Sequence, residues 1–223
     1  MPGPARPVIV KFQRALLAWY ARHGRDLPWR RTRVPYRVLV SEIMLQQTQV
    51  ERVIPKYRQF LRAFPSLRAL AAADVADVRR LWYPLGYNIR PVRLHAIARE
   101  TMARYGGRLP DDGEALRALP GIGRYTAGAL LSFAYGRDAA ILDTNVRRVL
   151  GRVFFGPRRL ARIRGDQRFW KLAESLVPPG RCYDFNQALM DFGATWCTPR
   201  EPRCVRCPMR RFCATYPALA RES

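Results

Sequence analysis

Acidic residues are scarce in this chain and lysine scarcer still. Seventeen Asp and Glu face 40 Lys and Arg, and the lysines are Lys11, Lys56 and Lys171 alone. The formal charge of +23 excludes a cationic partner and points to a polyanion, nucleic acid first. GC-rich coding explains Arg over Lys but not base over acid. No apolar run reaches the roughly 18 residues of a membrane helix, and MPGPARPVIV lacks a signal-peptide core. No basic amphipathic anchor stands out. The expectation is a soluble, cytoplasmic, nucleoid-associated protein with no membrane partner. Sustained period-two alternation, internal repeats and low-complexity linkers are also missing, which leaves no basis for a sheet or a solenoid. An odd five cysteines, four near the end, argue against a secreted disulfide framework and for a metal site in a reducing compartment.

What remains is helical periodicity. With 223 residues, 48% hydrophobic and 11% aromatic, the chain can bury one large core or two small ones. Apolar residues recur at helical spacing over about 9–23, where Ile9, Phe12, Leu16, Trp19 and Tyr20 lead to Gly24 as terminator. Further helices are expected over about 36–47, 50–64, 66–72, 75–83, 90–105, 111–119, 123–135, 146–155, 167–177 and 184–196. The fold class is all-α. In the arginine-rich loop after Asp26, Trp29 reads as a packing anchor.

Three stretches carry chemistry. Leu119-Pro120-Gly121-Ile122-Gly123 reads as a hairpin between helices, its glycines permitting positive φ and close approach of a partner. Followed at once by a helix N-terminus at Arg124, it suits a phosphate, and an ordinary interhelical turn is the plainer alternative. In the helix after Pro35, Glu42 lies among Val40, Ile43 and Met44; it is either solvated or partly buried, and the pattern favours the solvated face. Gln46, Gln47, Thr48 and Gln49 crowd hydrogen-bonding groups at that helix's end, as base edges or plain solvent would require. Tyr87 follows Gly86 in a turn; it can pack, or wedge between bases.

Cys197, Cys204, Cys207 and Cys213 follow one another at spacings x6, x2 and x5, among Pro199, Pro202 and Pro208. A single CxxC flanked by wider gaps suits an iron–sulfur cluster better than zinc, which usually takes two separated pairs. Arg200, Arg203, Arg206, Arg210 and Arg211 surround the thiols. Cys182 falls outside the spacing and reads as a buried or idle thiol.

The hairpin LPGIGRYT, the downstream Asp143 and the four-cysteine loop, in that order, resemble the helix-hairpin-helix DNA glycosylases of the endonuclease III superfamily over nearly the whole chain. Within it, LPWRRTRVPYRVLVSEIMLQQTQVERVIP, TAGALLS and LDTNVRRVL look like the adenine glycosylase (MutY) branch. The resemblance implies a six-helix barrel domain over 27–137 and a cluster domain from 1–26 and 138–223, with DNA in the cleft between. It implies a 4Fe-4S cluster on Cys197, Cys204, Cys207 and Cys213, and a monomeric enzyme acting on double-stranded DNA with a mismatched or damaged base. Breaking an N-glycosidic bond leaves positive charge on the sugar and negative charge on the base, so two carboxylates serve its two ends. By resemblance Glu42 protonates the flipped base, Asp143 stabilises or captures the oxocarbenium ion, and Tyr125 and Asn145 orient them. Gln46 and Gln47 contact bases, Gln47 and Tyr87 intrude into the duplex, and Gly121, Gly123 and Arg124 hold a phosphate. The lyase variants place a Schiff-base lysine where this chain has Tyr125, so the expected enzyme is monofunctional.

Two departures bear on the substrate. The chain ends at Ser223, so the adenine branch's domain for 8-oxoguanine is expected to be absent, and the usual Gly-Leu-Gly-Tyr-Tyr reads Pro84-Leu85-Gly86-Tyr87-Asn88. The thymine or uracil mismatch branch also stops after its cluster, also carries a hairpin tyrosine, and resembles VPPGRCYDFNQALMDFGA. The glutamine run favours adenine opposite G or 8-oxoguanine, with T·G and U·G as the alternative. A DNA-binding module without chemistry is a third reading, against which both carboxylates stand.

Overall fold

Residues 4–216 are described by a computed structural model, and all regular structure among them is helical. Helix α1 (Arg6–His23) opens with proline in its first turn and buries Phe12, Leu16 and Trp19 along one stripe, a spacing that keeps all three on one face. Gly24 donates its N–H to Tyr20 O at 2.8 Å and ends it. The chain divides into two units: Asp26–Tyr135 forms one, and both ends, up to Arg25 and from Gly136, form the other.

The central unit begins with a 3-10 turn (Pro28–Arg31) that buries Trp29, whose ring meets Tyr57 edge-on at 5.5 Å. Helix α2 (Pro35–Leu45) starts on Pro35, whose fixed φ and missing N–H suit a first turn, and buries all of Tyr36 and Val38–Met44. Helix α3 (Val50–Ala63) packs on it through Val53, Tyr57 and Phe60. Helices α4 (Leu67–Ala72) and α5 (Val75–Trp82) are capped by the side chains of Ser66 and Asp74, which satisfy orphan N–H groups. Helix α6 (Ile89–Tyr105) stops at Gly106, where φ of 58° reverses the backbone. Helix α7 (Gly113–Arg117) is capped by Asp112, and α8 (Arg124–Phe133) closes the unit against α2.

In the terminal unit α9 (Thr144–Leu150) runs straight into a wider π turn at Gly151–Phe155, and then into α10 (Gly156–Leu160). Helices α11 (Gln167–Leu176) and α12 (Cys182–Thr195) follow. The core joins α1 to α12: Phe12 meets Phe154 at 5.0 Å and Phe185 at 6.1 Å, and Trp19 meets Phe192 at 5.1 Å. Asp191, fully buried, accepts from the backbone N–H and Nε of Arg25 at 2.9 and 2.7 Å. Cys182 is buried at the start of α12.

Candidate active site and nucleic-acid interface

Glu42 lies on α2 and is buried, 4% exposed. This corrects the expectation of a solvated carboxylate: α2 packs on α3, α6, α8 and the 3-10 turn, which leaves Arg37 exposed near its start but encloses Glu42. The residues after it turn back sharply. Gln46 caps the helix, half-buried, and Gln47 is exposed at φ 54°. Tyr87 sits at φ 50° and is 59% exposed, which sets aside a packed loop tyrosine. These two are the non-glycine residues with positive φ among those described, a conformation that costs about 1–2 kcal/mol each. Backbone strain of this size concentrates at functional sites.

The hairpin lies between α7 and α8, closed by Ile122 N–H to Leu119 O at 3.2 Å. Its two glycines differ. Gly121 has φ +82°, and a Cβ there would meet Arg93 Cδ at 2.9 Å; Gly123, at φ −85°, has open space where a Cβ would stand. The expectation of positive φ therefore holds at Gly121 only, and Gly123 supplies clearance instead. Both are exposed, and Arg124 and Tyr125, half-buried, form the first turn of α8.

In the terminal unit Asp143 caps α9. Its Oδ1 accepts from Val146 N–H at 2.6 Å and its Oδ2 from Asn145 Nδ2 at 3.3 Å. Burial pushes the carboxyl's pKa up, against the opposing pull of the Val146 and Asn145 hydrogen bonds and the Arg148 charge. Asn145 packs beneath Gly193, where a Cβ would come within 2.8 Å of the Asn145 Cβ. Its Oδ1 accepts from Arg148 Nη2 at 2.7 Å, and the same guanidinium reaches Gly193 O at 2.7 Å and Cys197 O at 2.9 Å. One turn on, Arg152 donates to Thr198 O at 2.6 Å, Pro199 O at 2.8 Å and Cys197 Sγ at 3.6 Å. Arg148 and Arg152 were passed over in the sequence; their spacing of four on one helix face was the available signal.

Cys197, Cys204, Cys207 and Cys213 line one pocket with Val153, Phe192, Trp196 and Met209. Burial pushes the thiols of Cys204, Cys207 and Cys213 up, Cys207 to about 12. Met209 N–H donates to Cys207 Sγ at 3.4 Å. Among the described residues no three His, Cys, Asp or Glu side chains are grouped closely enough to hold a single metal ion. Arg200, Arg203, Arg206, Arg210 and Arg211 are all exposed around these loops. No helix among the described residues is long and apolar enough to cross a membrane.

Residues 40–175 match the HhH-GPD superfamily of base excision DNA repair proteins. The chain belongs to that superfamily. HhH-GPD relatives include the adenine DNA glycosylase of Homo sapiens, 43% identical over 96% of this chain and 41% of the human protein. Another is the thymine/uracil-DNA glycosylase of Pyrobaculum aerophilum, 38% identical over 92% of each chain. The chain spans 41 to 43% of the length of the mammalian adenine glycosylases it matches. Among solved structures a thermostable thymine-DNA glycosylase superposes with a TM-score of 0.89 at 35% identity, covering 95% of this chain and 98% of that one. An endonuclease III–DNA complex gives 0.84 at 20% identity over 98% and 99%, a likeness of fold. The HhH-GPD fold is thus the endonuclease III fold, all-helical as the periodicity required.

Proposed function

We propose that this chain is a monofunctional DNA glycosylase that extrudes a mispaired base from duplex DNA and hydrolyses its N-glycosidic bond, adenine opposite G or 8-oxoguanine first. Glu42 gives a proton to the departing base, which leaves with the bonding electron pair. The carboxylate of Asp143 stabilises the resulting oxocarbenium ion until water adds to the sugar and loses its proton. The observation that carries this reading is the setting of Asp143. Its pKa is raised by burial, yet it is fixed by the Val146 N–H and the Asn145 amide, a negative charge oriented in advance where positive charge is to develop. Tyr125 and Asn145 orient the reacting groups. Gln46 contacts bases, Gln47 and Tyr87 fill the space the base vacates, and Gly121, Gly123 and Arg124 seat a phosphate. The enzyme acts as a monomer, and its thiols suit an intracellular, reducing compartment.

Cys197, Cys204, Cys207 and Cys213 would hold a 4Fe-4S cluster. Four thiols lining one pocket suit a cube in which each thiolate takes its own iron. The Met209 N–H aimed at Cys207 Sγ favours the thiolate there, against the burial that raises it. When bound, such a cluster would tie these loops together so that they present the exposed arginines to phosphates instead of passing electrons.

Lys11, Lys56 and Lys171 lie on α1, α3 and α11 and none is in the hairpin, so no Schiff base forms and borohydride traps no covalent complex. Efficient trapping on abasic DNA would reject the monofunctional reading. The deciding experiment presents duplexes with A·G, A·8-oxoguanine, T·G and U·G pairs. Excision of A supports the first assignment. Excision of T or U alone replaces it with the mismatch thymine/uracil activity, which the likeness to the thymine-DNA glycosylase structure favours. Binding with no excision on any duplex would leave a DNA-binding module.

A further inference from the structure

Arg90 is 3% exposed, and among the described residues its guanidinium meets carbonyls and a hydroxyl, not a carboxylate. Its Nη1 donates to Ile43 O at 3.2 Å, Met44 O at 2.9 Å and Gln46 O, all at the C-terminal end of α2. Its Nη2 donates to Thr48 Oγ1 at 3.0 Å, Leu85 O at 3.1 Å and Gly86 O at 3.0 Å. The charge is met by the carbonyls of a helix terminus, where the dipole is negative, and by the faces of Trp82 and Tyr87, each 5.3 Å away. Trp82 Nε1 and Arg52 Nη2 tie the same loop at Gly86 O and Pro84 O. One side chain therefore grips both turns whose tips, Gln47 and Tyr87, hold left-handed backbone.

We infer that Arg90 is a positioning residue that locks the 46–49 turn and the 84–87 turn together, so that Gln47 and Tyr87 enter the duplex as one rigid wedge. This rests on the glycosylase reading, in which those two residues intrude. A planar fork with donors on both edges is needed to serve two turns at once; lysine carries the charge but not the geometry. Neither turn can hold a strained tip against the displaced bases unless it is braced from behind.

The test uses the full chain with Arg90→Lys, and with Thr48→Val, which removes one acceptor of Arg90 together with the turn's own Thr48 Oγ1 to Gln46 O bond at 3.3 Å and lies outside the helices. Single-turnover excision is measured on whichever mispair the parent cuts, and on the same base left unpaired in a bulge, where little wedging is needed. A 2-aminopurine beside the mispair reports unstacking without excision. Arg90→Lys is expected to lower excision from the mispair about tenfold to a hundredfold, to change the bulge rate little, and to lose the fluorescence rise. Thr48→Val should show the same order of effects at smaller size. Equal losses on mispair and bulge, or none on either, would overturn the inference. A parent inactive on all four duplexes would reject the glycosylase reading separately. The fluorescence still decides the role of Arg90: a rise that Arg90→Lys abolishes supports it, and equal signals overturn it.

Discussion

Replacing Asp143 with Asn and, separately, with Ala pulls apart the cap and the charge that this side chain combines. Val146 is fully buried, so removing the oxygen that accepts its N–H at 2.6 Å leaves a buried donor unsatisfied, at about 1–2 kcal/mol. Asn keeps an oxygen in that place and caps as well as Asp, so it avoids this loss. Both variants also discard a carboxylate whose pKa burial has raised. Between its ordinary value and the raised one the native state binds the proton more tightly than the unfolded chain. Stability therefore falls as pH rises through that window and stays lowered above it. Asp143→Asn should melt at or above the parent at neutral pH, with the gap closing in acid. Asp143→Ala should melt below Asp143→Asn by about 2–8 °C for a chain of this size. Excision should fall about a thousandfold in both, while salt-sensitive binding to undamaged duplex persists. Calorimetry at pH 7 and in acid, with single-turnover excision, gives the readings. Equal melting of the two variants would refute the cap. An advantage of Asn that grows toward low pH would refute the buried charge, and surviving excision would refute the catalytic role.

Glu42→Gln keeps the buried shape and should abolish excision of a base that must be protonated to leave; unchanged single-turnover rates would remove Glu42 from the chemistry. Gly121→Ala meets Arg93 and a positive φ and should cost about 1–2 kcal/mol in a urea titration. Gly123→Ala, with open space and an ordinary φ, should leave that titration unchanged and weaken duplex binding by filling the phosphate's approach. Purified parent protein should contain about four irons per chain and absorb in the visible blue, and Cys204→Ser should lose both; a stoichiometric zinc content would contradict the cluster.

The helices were legible because apolar spacing and capping residues agree. The expected helices over 36–47, 50–64 and 90–105 became Pro35–Leu45, Val50–Ala63 and Ile89–Tyr105, differences confined to fraying ends. Local pattern failed at Gly151–Phe155 and Gly156–Leu160, where one helix over 146–155 was expected. There the ladder is diverted by a distant segment: Arg152 O accepts from Thr215 Oγ1 at 2.7 Å and Val153 O from Ala214 N–H at 2.9 Å. Gly156, at φ 68°, lies so near Ala214 O that a Cβ would come within 3.0 Å. No window of neighbouring residues contains that information.

Residue types in the candidate site were legible; their surroundings were not. Glu42 reads as a polar break in an apolar run, but its burial depends on how many neighbours close around α2. Gln47 and Tyr87 are ordinary turn residues by composition, and no local rule places either at positive φ. Arg90 was one arginine among many in a strongly basic chain, yet it is buried against carbonyls from two turns. Each of these is a local cost: a desolvated carboxylate, a left-handed side chain, a cation out of water. Such costs persist only where surrounding structure enforces them. Here they concentrate in α2 with the turn after it and in the loop leading into α6, and the buried carboxyl of Asp143 adds another at the cap of α9, segments that the superfamily resemblance assigns to the extruded base and its sugar. Relaxing such a cost without breaking the bonds around it, as Asp143→Asn does, is therefore expected to return stability while activity falls; stripping the bonds, as Asp143→Ala does, returns none.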